Sequence, residues 1–204
     1  MKLYFIPFAC SLATRIAIEE AELDAEFEQV TRGGTLADGR AFAAVSPMCY
    51  VPELEMRDGT TLTEGPAVLE YLADLAAEDV LAPAPYTSQR YAMRAWLNFI
   101  STELHKAVFH PLMVKDANDG ARAYALTQAQ APFDRLAAHL ADREFLLDRF
   151  SVADAYLLAV LNWCGVAGVP IERWPRLVAW RDALRRRPSV ARASAAEMPL
   201  LKAA

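Results

Sequence analysis

Cys10 is the residue whose type and place most invite chemistry. It follows an apolar run, Lys2-Leu3-Tyr4-Phe5-Ile6, that reads as a short strand, and Pro7 breaks that run. From Cys10-Ser11 onward, Leu12, Ile16 and Ala17 share one helical face. A thiol between a strand end and a helix start meets unpaired backbone N–H groups and the positive end of the helix dipole. Both favour the thiolate, the nucleophilic form. The competing reading of the same residue is a buried structural cysteine. No CxxC motif is present, because Ala13 stands three residues beyond Cys10, so a dithiol redox cycle has no local resolving thiol. With Cys49 and Cys164 the cysteines are three, odd in number and widely spaced, which suits a reducing compartment rather than a disulfide framework. His105, His110 and His139 lack the paired spacing of zinc ligands, so no metal is expected.

The elements that must position these residues fall into two sets. Over the first 80 residues the order is β-α-β-α-β-β-α. The second strand is Glu26 to Val30, and a short or irregular middle helix lies near Ala41 to Ala44. Val51 to Met56 and Thr60 to Leu62 flank Asp58-Gly59, a strong hairpin signal. A helix then starts near Thr63, with Val68, Tyr71, Leu72 and Leu75 on one face and Pro66 in its first turn, where a missing N–H costs nothing. Leu81-Ala82-Pro83-Ala84-Pro85 reads as a linker, and beyond it strands disappear. Met93, Trp96, Leu97, Ile100 and Leu104 mark one helical face; Leu126, Ala129, Phe133, Leu136 and Leu140 mark another. Ser151-Val152-Ala153-Asp154 is a capping box that opens a helix apolar on all sides, and so buried all round, through Trp163. Leu177, Trp180 and Leu184 belong to a further helix, in which Arg185-Arg186-Arg187 reads as a solvated last turn stopped by Pro188. The predicted fold class is α/β plus all-α, with domains at 1–80 and 88–204.

Composition narrows the partners. The 204 residues are 54% hydrophobic and 23% charged, a globular balance. With 21 Lys and Arg against 26 Asp and Glu, binding of nucleic acid through bulk charge is disfavoured. No run approaches membrane-spanning length, and Pro7 and the acidic helix after it argue against an N-terminal targeting signal. The expectation is a cytoplasmic protein that works on small molecules.

In order and spacing, five segments resemble the cytosolic glutathione transferase family, and within it the bacterial beta class. They are Met1-Lys2-Leu3-Tyr4 with Cys10-Ser11-Leu12; Val51-Pro52; Leu62-Thr63-Glu64-Gly65; Trp96-Leu97-Asn98-Phe99 with Glu103-Leu104-His105-Lys106; and Phe150 through Tyr156. The resemblance implies a thioredoxin-like first domain, a helical-bundle second domain, glutathione as co-substrate, a small apolar electrophile and a homodimer. It implies a cis Val51-Pro52 bond whose backbone pairs with the cysteinyl part of glutathione. Glu64 would bind the γ-glutamyl ammonium, and Gly65 N–H the adjoining carboxylate, at a helix N-terminus suited to anions. Asn98, His105 and Lys106 would face the glutathione cleft, with His105 stabilising a thiolate or moving a proton. His105, Phe109 and Trp163 would border the electrophile. Cys10 suits thiol–disulfide chemistry as well as conjugation, and Ser11 is the second candidate for stabilising the glutathione thiolate.

The chain departs from the beta-class pattern at Ser46-Pro47-Met48-Cys49-Tyr50, where that class commonly has Asn-Pro-Lys-Gly-Gln. The glycyl end of glutathione must then be held otherwise or more weakly, and Cys49 raises the expectation of an oxidisable Cys10/Cys49 pair. Two other readings stay open: a non-catalytic carrier of apolar ligands, and a glutathione-dependent lyase or isomerase on the same fold.

Overall fold

The computed structural model describes residues 1–78 and 80–202. Its elements are β1 (Lys2–Phe5), α1 (Ser11–Glu20), β2 (Glu26–Gln29), a 3-10 turn (Phe42–Ala44), β3 (Glu53–Glu55), β4 (Thr61–Leu62) and α2 (Gly65–Leu75). There follow α3 (Ser88–Phe99), a wide-turned segment (Ile100–Phe109), α4 (His110–Met113), α5 (Asp119–Gln128), α6 (Gln130–His139), α7 (Val152–Leu161), α8 (Cys164–Ala167), α9 (Pro175–Arg185) and α10 (Pro188–Glu197). Two compact units result: Met1–Ala82 together with the stretch from Arg187 onward, and Pro83–Arg186.

In the first unit the strands lie in the order β2-β1-β3-β4. β1 runs parallel to β2, with Leu3 opposite Phe27, and antiparallel to β3, with Leu3 opposite Leu54. Strand periodicity sends Leu3 and Tyr4 to opposite faces. Tyr4 packs with Val30, Leu36 and Phe42, and Ile6, Val45 and Val51 lean on that cluster. The Gly-rich stretch after β2 is thereby tied to the sheet, and the short or irregular middle helix expected near Ala41 to Ala44 is the 3-10 turn Phe42–Ala44. The hairpin forms at Asp58-Gly59: Gly59 takes φ 81, and the Asp58 carboxylate accepts from the Thr60 N–H and hydroxyl. This is the expected βαβαββα order of a thioredoxin-like domain.

The C-terminal end differs from the expected 88–204 helical domain. From Arg187 onward the chain belongs to the first unit, and Ala203 and Ala204 lie outside the described residues. Pro188 ends one helix and opens the next, since its fixed φ and missing N–H suit a first helical position. Val190 and Ala193 are buried, and Arg187 forks onto the Glu20 carboxylate at 2.5 and 2.8 Å. The arginine run is thus not simply solvated.

In the second unit Met93, Leu97, Ile100 and Leu104 form the buried stripe, while Trp96 is half-buried. From Ile100 the helix widens so that the His110 N–H bonds the His105 carbonyl, five residues back. α5 and α6 part at Ala129, because Pro132 has no N–H for the Gln128 carbonyl. Leu126, inside α5, is exposed, against the expected apolar face. The capping box of α7 forms as expected: Asp154 Oδ2 accepts from the Ser151 N–H and hydroxyl, both at 2.9 Å, and Oδ1 from the Leu146 N–H at 2.8 Å. All ten residues of α7 are buried.

Candidate active site

Cys10 stands at the N-cap of α1 in a helical conformation, half-buried, with no side-chain cap. The turn before it is tightly held. Ser11 is fully buried, and its hydroxyl accepts from the Ile6 N–H at 3.3 Å and donates to the Ile6 carbonyl at 3.2 Å. Ala9 N–H also bonds the Ile6 carbonyl, and Phe8 takes φ 56, a conformation that costs a bulky residue strain. The Cys10 thiol donates to the Val51 carbonyl at 3.0 Å, although the two are 41 residues apart. The Val51-Pro52 bond is cis. Packing of Val51 against the Tyr4–Phe42 cluster is what brings this carbonyl to the α1 N-terminus.

Glu64 and Gly65 stand at the head of α2. Glu64 is exposed and takes φ 65; as first-turn residues Gly65 and Ala67 have N–H groups without intrahelical acceptors, and Pro66 between them has no N–H to satisfy. In the altered segment Met48, Cys49 and Tyr50 are exposed and Cys49 has φ 52. Cys164 is buried, and burial pushes its thiol up to about 12, far from reactivity at neutral pH.

Asn98, His105 and Lys106 belong to the second unit, with Asn98 and Lys106 exposed. His105 sits in the widened turns, with Nδ1 2.8 Å from the Tyr156 hydroxyl and its ring edge-on to Trp163 at 5.0 Å. Burial first, then the positive charges of Lys106 and His110, push its pKa down to about 4. His105 is therefore neutral at physiological pH, with one ring nitrogen engaged by Tyr156. Phe109 is fully buried against Phe133 and Trp163, so it offers no surface to a ligand, contrary to its expected place beside the electrophile.

Two contacts escaped the sequence reading. One joins Tyr156 to His105: the sequence shows Tyr156 as the end of the Phe150–Tyr156 segment and not as a partner of His105. The other is Glu197, whose Oε2 accepts the Phe8 N–H at 2.7 Å across 189 residues, and nothing in the local pattern signals it.

Among the described residues no group of three or more His, Cys, Asp and Glu side chains is placed to hold a metal ion, and no helix is long and apolar enough to cross a membrane. The family model for the glutathione S-transferase N-terminal domain matches residues 9–75, and that for the C-terminal domain residues 119–183. The glutathione S-transferase GstA of Escherichia coli O157:H7 is 35% identical over 199 residues, covering 97% of this chain and 98% of that one. The ternary complex of BphK, a bacterial glutathione transferase, superposes with TM-score 0.93 at 40% identity, over 97% of this chain and 99% of that one. A sphingomonad glutathione S-transferase complexed with glutathione gives TM-score 0.91 at 38% identity, over 97% and 98%. With both domain models matched and full-length relatives at this identity, the chain belongs to the glutathione S-transferase family.

Proposed function

We propose that this protein is a beta-class-like glutathione transferase in which Cys10 works beside the glutathione sulfur. The observation that carries the reading is the Cys10 thiol held at the α1 N-terminus, 3.0 Å from the carbonyl of Val51, whose backbone is the expected partner of the glutathione cysteinyl unit. Glu64 and Gly65 take the γ-glutamyl end, the acid binding the ammonium and the N–H the carboxylate. Ser11 is given a structural part, because its hydroxyl is committed to Ile6 on both its donor and acceptor sides. On the second unit, Asn98 and Lys106 are assigned to ligand binding, and His105 to proton transfer as a neutral base.

The chemistry proposed for Cys10 is thiol–disulfide exchange. Its thiolate attacks one sulfur of a glutathione disulfide, the S–S bond breaks, and one glutathione leaves as thiolate. Cys10 ends oxidised as a mixed disulfide, and the released tripeptide is reduced. With reduced glutathione bound instead, the same place serves conjugation to a small apolar electrophile. The family likeness extends the proposal to a cytoplasmic homodimer, which sedimentation tests for assembly.

Calorimetric titration with glutathione checks the ligand. Binding should weaken about tenfold or more in Glu64→Ala, the size of one lost charge-assisted hydrogen bond. A second reading, a carrier without catalysis, is favoured by the 46–50 segment, which lacks the usual lysine and glutamine. No heat of binding at millimolar glutathione would leave only the carrier.

A further inference from the structure

α10 returns along α1 in the opposite direction. Arg187 and Ser189, at its start, bond Glu20 at the end of α1, and Arg192 bonds Glu19 at 3.0 Å. Ten helical residues rise about 15 Å, so the far end of α10 reaches the start of α1. There Glu197, fully buried, accepts the Phe8 N–H at 2.7 Å. Phe8 carries the strained φ of the turn that presents Cys10. A carboxylate buried among apolar neighbours costs stability unless it is well paired. Arg15 of α1 is a nearby charge that favours the ionised form, the Phe8 N–H bonds Oε2, and among the described residues Oε1 has no hydrogen-bond partner.

We propose that Glu197 is a positioning residue for Cys10: from the C-terminal helix its carboxylate fixes the Phe8 amide, and so the turn that aims the thiol at Val51 and the bound tripeptide. The benefit of such a contact is orientation. A nucleophile on a turn free to relax loses rate even when its ligand binds as before. The proposal rests on the glutathione reading for its substrate, but the contact itself can be judged without glutathione.

The test compares wild type, Glu197→Ala and Glu197→Gln, with folding verified by circular dichroism and melting. Adduct formation with glutathione disulfide is followed by mass spectrometry over a concentration series. In Glu197→Ala the maximal rate should fall roughly tenfold or more while half-saturation stays within twofold. Glu197→Gln keeps an oxygen acceptor for Phe8 and should restore most of the rate. A folded Glu197→Ala protein with the wild-type maximal rate, or a change in half-saturation alone, would overturn the proposal. Amide exchange in the wild-type protein supplies the second arm: the Phe8 amide should exchange slowly, and faster in any folded Glu197→Ala protein. If neither variant folds, fast wild-type exchange at Phe8 rejects the contact and slow exchange supports it. If wild type forms no adduct at all, the glutathione reading falls, and Phe8 exchange together with iodoacetamide labelling of Cys10 still decides the role of Glu197.

Discussion

At the scale of single residues the decisive contrast is among the three cysteines. Cys164, at the start of the short α8, is buried with its thiol pushed up to about 12; Cys49 is exposed; and Cys10, half-buried at the start of α1, bonds its thiol to the Val51 carbonyl. Cys10 was legible from sequence because a strand, a proline and a helix pattern converge on it. That Ser11 turns inward to Ile6 was not, since the closure depends on how the turn folds back. His105 was legible as a candidate but not in its charge state, which depends on burial and on the nearby charges of Lys106 and His110. Its folded pKa, about 4, lies below the ordinary 6.5, so the folded protein binds fewer protons in between. The stability this group confers is complete above pH 6.5 and is lost as the pH falls toward 4. Denaturant titrations of wild type and His105→Gln at several pH values should therefore differ in slope over that window. Wild type should lose about 1–2 kcal/mol more than the variant between pH 6.5 and 5. Parallel curves would mean that His105 is not held neutral by the fold.

Among the elements, α7 is the most fully specified by its own sequence. Its capping box was readable because both partners lie within four residues of each other. Its third acceptor contact, from the Leu146 N–H, was not readable, because the loop 140–150 has no periodic pattern. Ser151→Ala should cost about 1 kcal/mol in chemical denaturation. Asp154→Ala strands two backbone N–H groups in the core and should cost about 3 kcal/mol. Glutathione affinity per folded molecule should be unchanged in the Ser151 variant; a selective loss of affinity would give the box a functional role. Burial pushes Asp154 up to about 7, so this group works in the opposite sense to His105. Its folded pKa lies above its unfolded value, and its stabilising effect declines as pH rises through that range. The widened turns at Ile100–Phe109 were invisible to a reading based on 3.6-residue periodicity.

For the whole molecule, the linker near Pro83 was readable from composition, but the return of the C-terminal helix to the first unit was not. Its sequence, rich in alanine, is a good helix on any unit; Glu19, Glu20 and Phe8 decide where it docks. Burial alone would raise the Glu20 carboxyl, but hydrogen bonds from Arg187 and Ser189 outweigh it and hold the group below its ordinary range. Arg187→Ala should destabilise the first unit by about 1–2 kcal/mol at neutral pH. Because the native pKa of Glu20 is lowered, that difference should shrink as the pH falls below the ordinary carboxylate range. The assembled account, a family fold that presents one reactive thiol to glutathione, is tested most directly by intact mass after incubation with glutathione disulfide. It predicts a single glutathionyl adduct on the wild-type protein and none on Cys10→Ala. An adduct that persists in Cys10→Ala, or none on the folded wild type, would contradict it.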